Sequence, residues 1–110
     1  MFLAFLAKGD YNVFQVDWGE LAAFPWYFAA RRSTVLVGQH TASLIDYLSM
    51  TKRSRPSDFH VLGFSLGAHV AGVAARNVQT GNVFRVTGKY TGSTHPIPTN
   101  RQCLQSHGYV

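Results

Sequence analysis

Residues 59–76 read FHVLGFSLGAHVAGVAAR. Phe59-His-Val-Leu-Gly-Phe64 is a short apolar run and reads as a buried strand. Leu66 to Arg76 reads as a helix, and Gly67, Ala68, Ala71, Gly72, Ala74 and Ala75 keep its surface small enough for the axis to approach a sheet. Between the two lies Gly63-Phe64-Ser65-Leu66-Gly67, of the form G-x-S-x-G. A strand, this pentapeptide and a helix in succession form the setting of a nucleophile elbow. The serine there occupies a sharp, strained turn that lifts its Oγ clear of the backbone. Side chains two positions either side would clash with strand and helix, so glycine is expected to be required at both Gly63 and Gly67. The helix points its N-terminus at the site and sets the Leu66 N–H where an oxyanion would develop. The plain alternative is that the two glycines only punctuate a strand-to-helix turn.

Working outward, Tyr11 to Asp17 is rich in β-branched and aromatic residues and reads as a strand. Trp18 to Tyr27, broken by Gly19 and Pro25, is expected to be irregular. Ser33-Thr34 can cap a helix reaching about Met50, with Val37, Leu44, Ile45 and Leu48 as its apolar stripe. Thr51 to Asp58 is a polar loop around Pro56. Gly81-Asn82 ends the second helix, and Val83 to Val86 reads as a third strand. Strand, helix, strand, helix, strand is the α/β pattern of a parallel sheet with flanking helices. From Lys89 the texture changes to a turn-rich stretch without period. The expected organisation is a partial domain over 1–88 and an unpatterned, disordered tail over 89–110.

A chain of 110 residues, 46% apolar, suits one small domain. Its net charge of +5 raises a nucleic-acid reading, but Lys52, Arg53 and Arg55 form the one small cluster and read as a solvated loop. Cys103 is the only cysteine, which excludes an intrachain disulfide and a thiol-rich metal site. Neither a metal nor a cofactor is expected. No stretch has the length of a membrane span. The apolar run Met1 to Ala7 is too short for a secretory leader, so the chain by itself reads as soluble and unexported. The acids are Asp10, Asp17, Glu20, Asp46 and Asp58, and none occurs from Phe59 to Val110.

Gly9-Asp-Tyr-Asn-Val, Val16-Asp17-Trp18, Val61-Leu-Gly-Phe-Ser-Leu-Gly-Ala-His-Val-Ala-Gly72 and Arg85-Val-Thr-Gly88, in that order, resemble the pancreatic lipase family, which includes secreted triacylglycerol lipases and phospholipases A1. The resemblance runs from about Phe2 to Gly88. It implies an α/β-hydrolase fold, hydrolysis of carboxylic esters of lipids, an extracellular location, contact with a lipid interface, Ser65 as nucleophile and the Leu66 amide as one oxyanion donor. The oligomeric state stays open. Phe64 stands where many members have histidine, and phenylalanine there does not read as disabling.

Three parts of the family's site have no counterpart. Members carry an upstream strand ending in a His-Gly-Phe-like turn, which supplies the second oxyanion donor. Their acid lies in a Gly-Leu-Asp-Pro-Ala segment, where this chain continues from Gly88 into Lys89-Tyr90-Thr91-Gly92 and puts Tyr90 at the acid's position. Their catalytic histidine lies further on. The order in this fold is serine, acid, histidine, so Asp17 and Asp58, which precede Ser65, do not substitute. Asp17 is assigned to local hydrogen bonding and His69 to packing. His40 and His60 precede the elbow, with His60 on a strand, and His95 and His107 sit in the tail. The resemblance breaks at Gly88-Lys89-Tyr90, which can be encoded GGT-AAG-TAT and so contains GTAAGT, the consensus start of an intron. The expectation is that Lys89 to Val110 is intron read-through. The competing readings are a non-catalytic lipase homologue that binds lipid or a partner, and a truncated fragment without function.

Overall fold

The computed structural model describes residues 2–21 and 27–89. Its elements are α1 (Phe2–Lys8), α2 (Tyr27–Thr51), a single 3₁₀ turn (Pro56–Asp58), β1 (His60–Phe64), α3 (Leu66–Asn77) and β2 (Arg85–Lys89). β1 and β2 pair in parallel, with His60 opposite Arg85 and Phe64 opposite Lys89. α3 is the crossover between them, as parallel strands require.

α2 packs along α3. Ala30, Thr34, Val37, Ala42 and Ile45 of α2 are buried, as are Ala68, Val70, Ala71, Val73 and Ala74 of α3. This interface is built from small residues and places the two helices very close. A Cβ added at Gly38 would lie 2.6 Å from the Val73 Cβ and 3.1 Å from the Val70 carbonyl oxygen. On the other side of α3, a Cβ at Gly88 would come within 2.9 Å of the Ala68 Cβ. The missing side chains therefore set the spacing of all three layers.

Four expectations are corrected. The helix expected to start at Ser33-Thr34 begins at Tyr27, and Thr34 is buried inside it. Ala29, Ala30 and Arg32 are good helix formers that extend it backward. Hydroxyl residues are no obstacle, because Thr41, Ser43, Ser49 and Thr51 each donate to the carbonyl four residues earlier, at 2.8, 3.1, 2.8 and 2.6 Å. Leu44, assigned to the apolar stripe, is exposed. The sheet has two strands among the described residues, because Tyr11–Asp17 forms none. A strand needs a neighbour's N–H and C=O groups. Here Tyr11 N–H donates only as far as the Gly9 carbonyl, and Tyr11, Phe14 and Val16 are 60%, 57% and 42% exposed. Asp17 accepts from the Gly19 N–H at 3.1 Å, a local bond of the expected kind. The last strand runs Arg85–Lys89 rather than Val83–Val86, and crosses the boundary expected at Gly88. The tail from Tyr90 onward and residues 22–26 lie outside the described residues.

Asp46 fastens α2 to the connection that follows α3. Its carboxylate accepts from the Gln79 N–H at 3.0 Å, the Thr80 N–H at 2.9 Å and the Thr80 hydroxyl at 2.7 Å. Partial burial pushes its pKa up, but the three hydrogen bonds together outweigh that and leave it below the ordinary 3.8. A carboxylate whose folded pKa is depressed stabilises the protein above its unfolded pKa and ceases to do so as pH falls through the folded one. Asp46→Asn is therefore expected to lower stability by about 1 kcal/mol at pH 7, an exposed charge-assisted bond being worth that order. Urea titrations repeated at falling pH should show the gap to wild type closing below about pH 3.8.

Candidate active site

The backbone carries the site. β1 ends at Phe64, Ser65 is the N-cap of α3, and the turn between them is a single residue. Ser65 has φ 54° and ψ −122°, the geometry of the first central residue of a type II′ turn, which glycine normally occupies. A serine held there stores strain on the order of 1–3 kcal/mol. Three contacts enforce it. The Ser65 N–H donates to the Lys89 carbonyl at 2.8 Å, and the Ser65 carbonyl accepts from the Ala68 N–H at 3.0 Å. The third is the approach of Gly63 to the first turn of α3. A Cβ at Gly63 would overlap the Gly67 carbonyl and lie 2.7 Å from the Ala68 nitrogen.

Gly67 differs. A Cβ there would meet nothing within 4 Å, so the expectation that both glycines are sterically required is corrected. The clash belongs to Gly63 alone, because it is Gly63 that faces the backbone of the Gly67 turn.

Ser65 is exposed, and its hydroxyl makes no cap bond to α3. Leu66 is the first residue of α3, so its N–H is one of the four amides a helix leaves without an intrahelical partner. Among the described residues no backbone carbonyl accepts from it. The α3 N-terminus carries a partial positive charge with no acidic side chain in its first turn. An exposed hydroxyl beside an orphan amide is the pairing that acyl transfer uses: attacking oxygen and oxyanion donor on adjacent residues.

A base is not assembled here among the described residues. His60 is committed across the ladder, with Nε2 2.9 Å from the Thr87 hydroxyl. Loss of solvent, with Arg85 beside it, holds its pKa below the ordinary 6.5. His69 is half-buried on α3 and engaged within the structure. His40 is exposed on α2. His95, His107 and Tyr90 fall outside the described residues. No group of three or more His, Cys, Asp or Glu among the described residues could hold a metal. No helix there is long and apolar enough to cross a membrane.

A strand, a strained serine and a helix N-terminus thus follow one another directly in the chain. A family model described as Lipase matches residues 1–96. The chain belongs to the Lipase family. It is 40% identical over 79 residues to pig lipoprotein lipase, covering 72% of this chain and 16% of that one. It is 41% identical over 78 residues to human hepatic triacylglycerol lipase, covering 70% and 15%. It is 38% identical over 86 residues to the pancreatic triacylglycerol lipase of Myocastor coypus, covering 77% and 18%. The matched region thus spans less than a fifth of these relatives. No solved structure matches.

Two stability measurements check the elbow. Gly63→Ala is expected to cost about 2 kcal/mol or more because backbone must move, whereas Gly67→Ala should stay within about 0.5 kcal/mol of wild type. Chemical denaturation of both variants decides whether the close approach belongs to Gly63. Separately, Ser65→Gly should be more stable than Ser65→Ala by about 1 kcal/mol, since only glycine relieves the positive φ. Equal midpoints for the two variants would mean the turn is unstrained.

Proposed function

We propose that Ser65 is the nucleophile of a carboxylic ester hydrolase acting on lipids, with the Leu66 N–H as one oxyanion donor and Gly63-Phe64-Ser65-Leu66-Gly67 as the elbow. The observation that carries this is the φ of 54° at Ser65, a backbone cost that a merely structural serine does not need. In the reaction the Ser65 Oγ attacks the ester carbonyl carbon, its proton passes to a base, and charge on the former carbonyl oxygen is met by the Leu66 amide. The alcohol then leaves with a proton, and water releases the fatty acid. Triacylglycerol and phospholipid esters share this chemistry, and the elbow does not choose between them. Membership in the Lipase family also supports an extracellular setting and contact with a lipid–water interface.

The reaction is incomplete within these 110 residues. No acid follows Ser65, and a serine without its histidine loses about 10⁶ in turnover, or about 8 kcal/mol of transition-state stabilisation. The 110-residue chain is therefore expected to hydrolyse a soluble butyrate ester about 10⁶-fold more slowly than a complete triad enzyme, and to react slowly with a fluorophosphonate probe. Ser65→Ala should abolish whatever remains. Rapid hydrolysis that survives Ser65→Ala would remove Ser65 from its role. Rapid hydrolysis lost in Ser65→Ala would show that a base is present within the chain. Sequencing the transcript across the Gly88 codon tests the source of the gap: a message continuing into an acid and a later histidine restores the triad.

A further inference from the structure

The three cations Lys52, Arg53 and Arg55 take no part in the elbow. Among the described residues they are the only lysines or arginines outside a helix or strand. Lys8 ends α1, the other basic pair, Arg31 and Arg32, lies within α2, Arg76 is in α3, and Arg85 and Lys89 are in β2. This matters because an endoprotease binds its substrate as an extended strand, and cleavage concentrates where backbone is exposed and cheap to open. The link from Lys52 to Arg55 fits. Lys52 and Arg53 are exposed, and Arg53 sits at φ 57°, a left-handed conformation that costs a non-glycine residue energy in the folded state. The link is tied to α2 only through the Lys52 N–H, which donates to the Leu48 carbonyl at 2.9 Å in the fraying last turn. On its far side Arg55 is held, with its N–H 2.9 Å and its guanidinium 3.2 Å from the Asp58 carboxylate.

We propose that the Arg53–Ser54 peptide bond is a processing site for an endoprotease specific for paired basic residues. Lys52 and Arg53 supply the two cations on the acyl side, and Ser54 is a small residue on the leaving side. The alternative bond after Arg55 is closed, because Pro56 follows it and a proline nitrogen there resists scission. Water adds across the amide, the C–N bond breaks, and Arg53 keeps the carboxylate while Ser54 takes the new ammonium. The product is a two-chain form. Residues 1–53 hold α2 and residues 54–110 hold the elbow, still joined through the Gly38–Val73 packing and the bonds from Gln79 and Thr80 to Asp46.

The 110-residue chain digested with limiting trypsin, and separately with a paired-basic endoprotease, tests this by intact mass and N-terminal sequencing. Within residues 2–89 the first new N-terminus is expected at Ser54, with the fragments co-eluting on native gel filtration and separating in urea. Lys52→Gln should slow the paired-basic enzyme by about tenfold or more while leaving trypsin able to cut after Arg53. Ser54→Pro should block both enzymes while keeping both cations. Within residues 2–89, a first cut after Lys8, Arg31, Arg32, Arg76, Arg85 or Lys89, full-rate cleavage of Lys52→Gln by the paired-basic enzyme, or fragments that separate without urea would overturn the proposal.

Discussion

The approach of Gly63 to the carbonyl of Gly67 is the contact on which the rest of the arrangement depends. It lets a helix begin one residue after a strand ends. With strand and helix so close, the single residue between them has no ordinary backbone region available, and Ser65 is driven to φ 54°. That turn leaves Ser65 exposed and the Leu66 N–H without a backbone acceptor among the described residues. It also brings the Ser65 N–H to the Lys89 carbonyl, which fixes the end of β2, and Gly88 then settles against Ala68. One missing Cβ thus propagates through both strands and the helix between them.

The strain is local, but its compensation is not. Within residues 63–68 the bond from the Ala68 N–H to the Ser65 carbonyl offsets only part of a cost on the order of 1–3 kcal/mol. The remainder comes from burial along the opposite side of α3, where Val70, Ala71, Val73 and Ala74 meet α2. At about 25 cal/mol per Å² of apolar surface, an interface of a few small residues supplies that order of energy. Gly38 is part of the same balance, since any side chain there would push α2 outward and loosen the support for the turn. Preorganisation at the serine is therefore maintained by a helix that contributes no chemistry.

This division explains what could be read in the residues and what could not. The elbow depends on contacts among near neighbours, so G-x-S-x-G with a strand before it and small residues after it was enough to place β1, Ser65 and α3. Asp46 was invisible as an anchor because its partners, Gln79 and Thr80, lie more than thirty residues on. Gly38 could have been noticed, since an isolated glycine inside a helical pattern often marks a close packing contact. Thr34 misled because a hydroxyl can cap a helix or sit inside one, and the run of alanine and arginine before it favoured the interior. Tyr11 to Asp17 has the composition of a strand, but composition supplies no neighbour to pair with. Gly67 shows the opposite error: the motif contains two glycines, yet only one of them meets a backbone.

The chemistry divides along the same line. The proposed nucleophile, Ser65, and the proposed oxyanion donor, the Leu66 N–H, are adjacent residues on one turn, so they are prepared together whenever that turn forms. An acid and a base must be brought from elsewhere in the chain, and no acid follows Ser65 here. The exposed basic link lies on the other side of this division as well. It enters β1 at its N-terminal end, whereas Ser65 leaves from the C-terminal end, five residues or about 16 Å away. A cut between Arg53 and Ser54 would touch none of the bonds that hold φ at Ser65, because those run to Lys89, to Ala68 and between Gly63 and Gly67. Covalent continuity through the link and the geometry at Ser65 are thus physically separable, connected by the packing of α2 on α3 and by the bonds from Gln79 and Thr80 to Asp46.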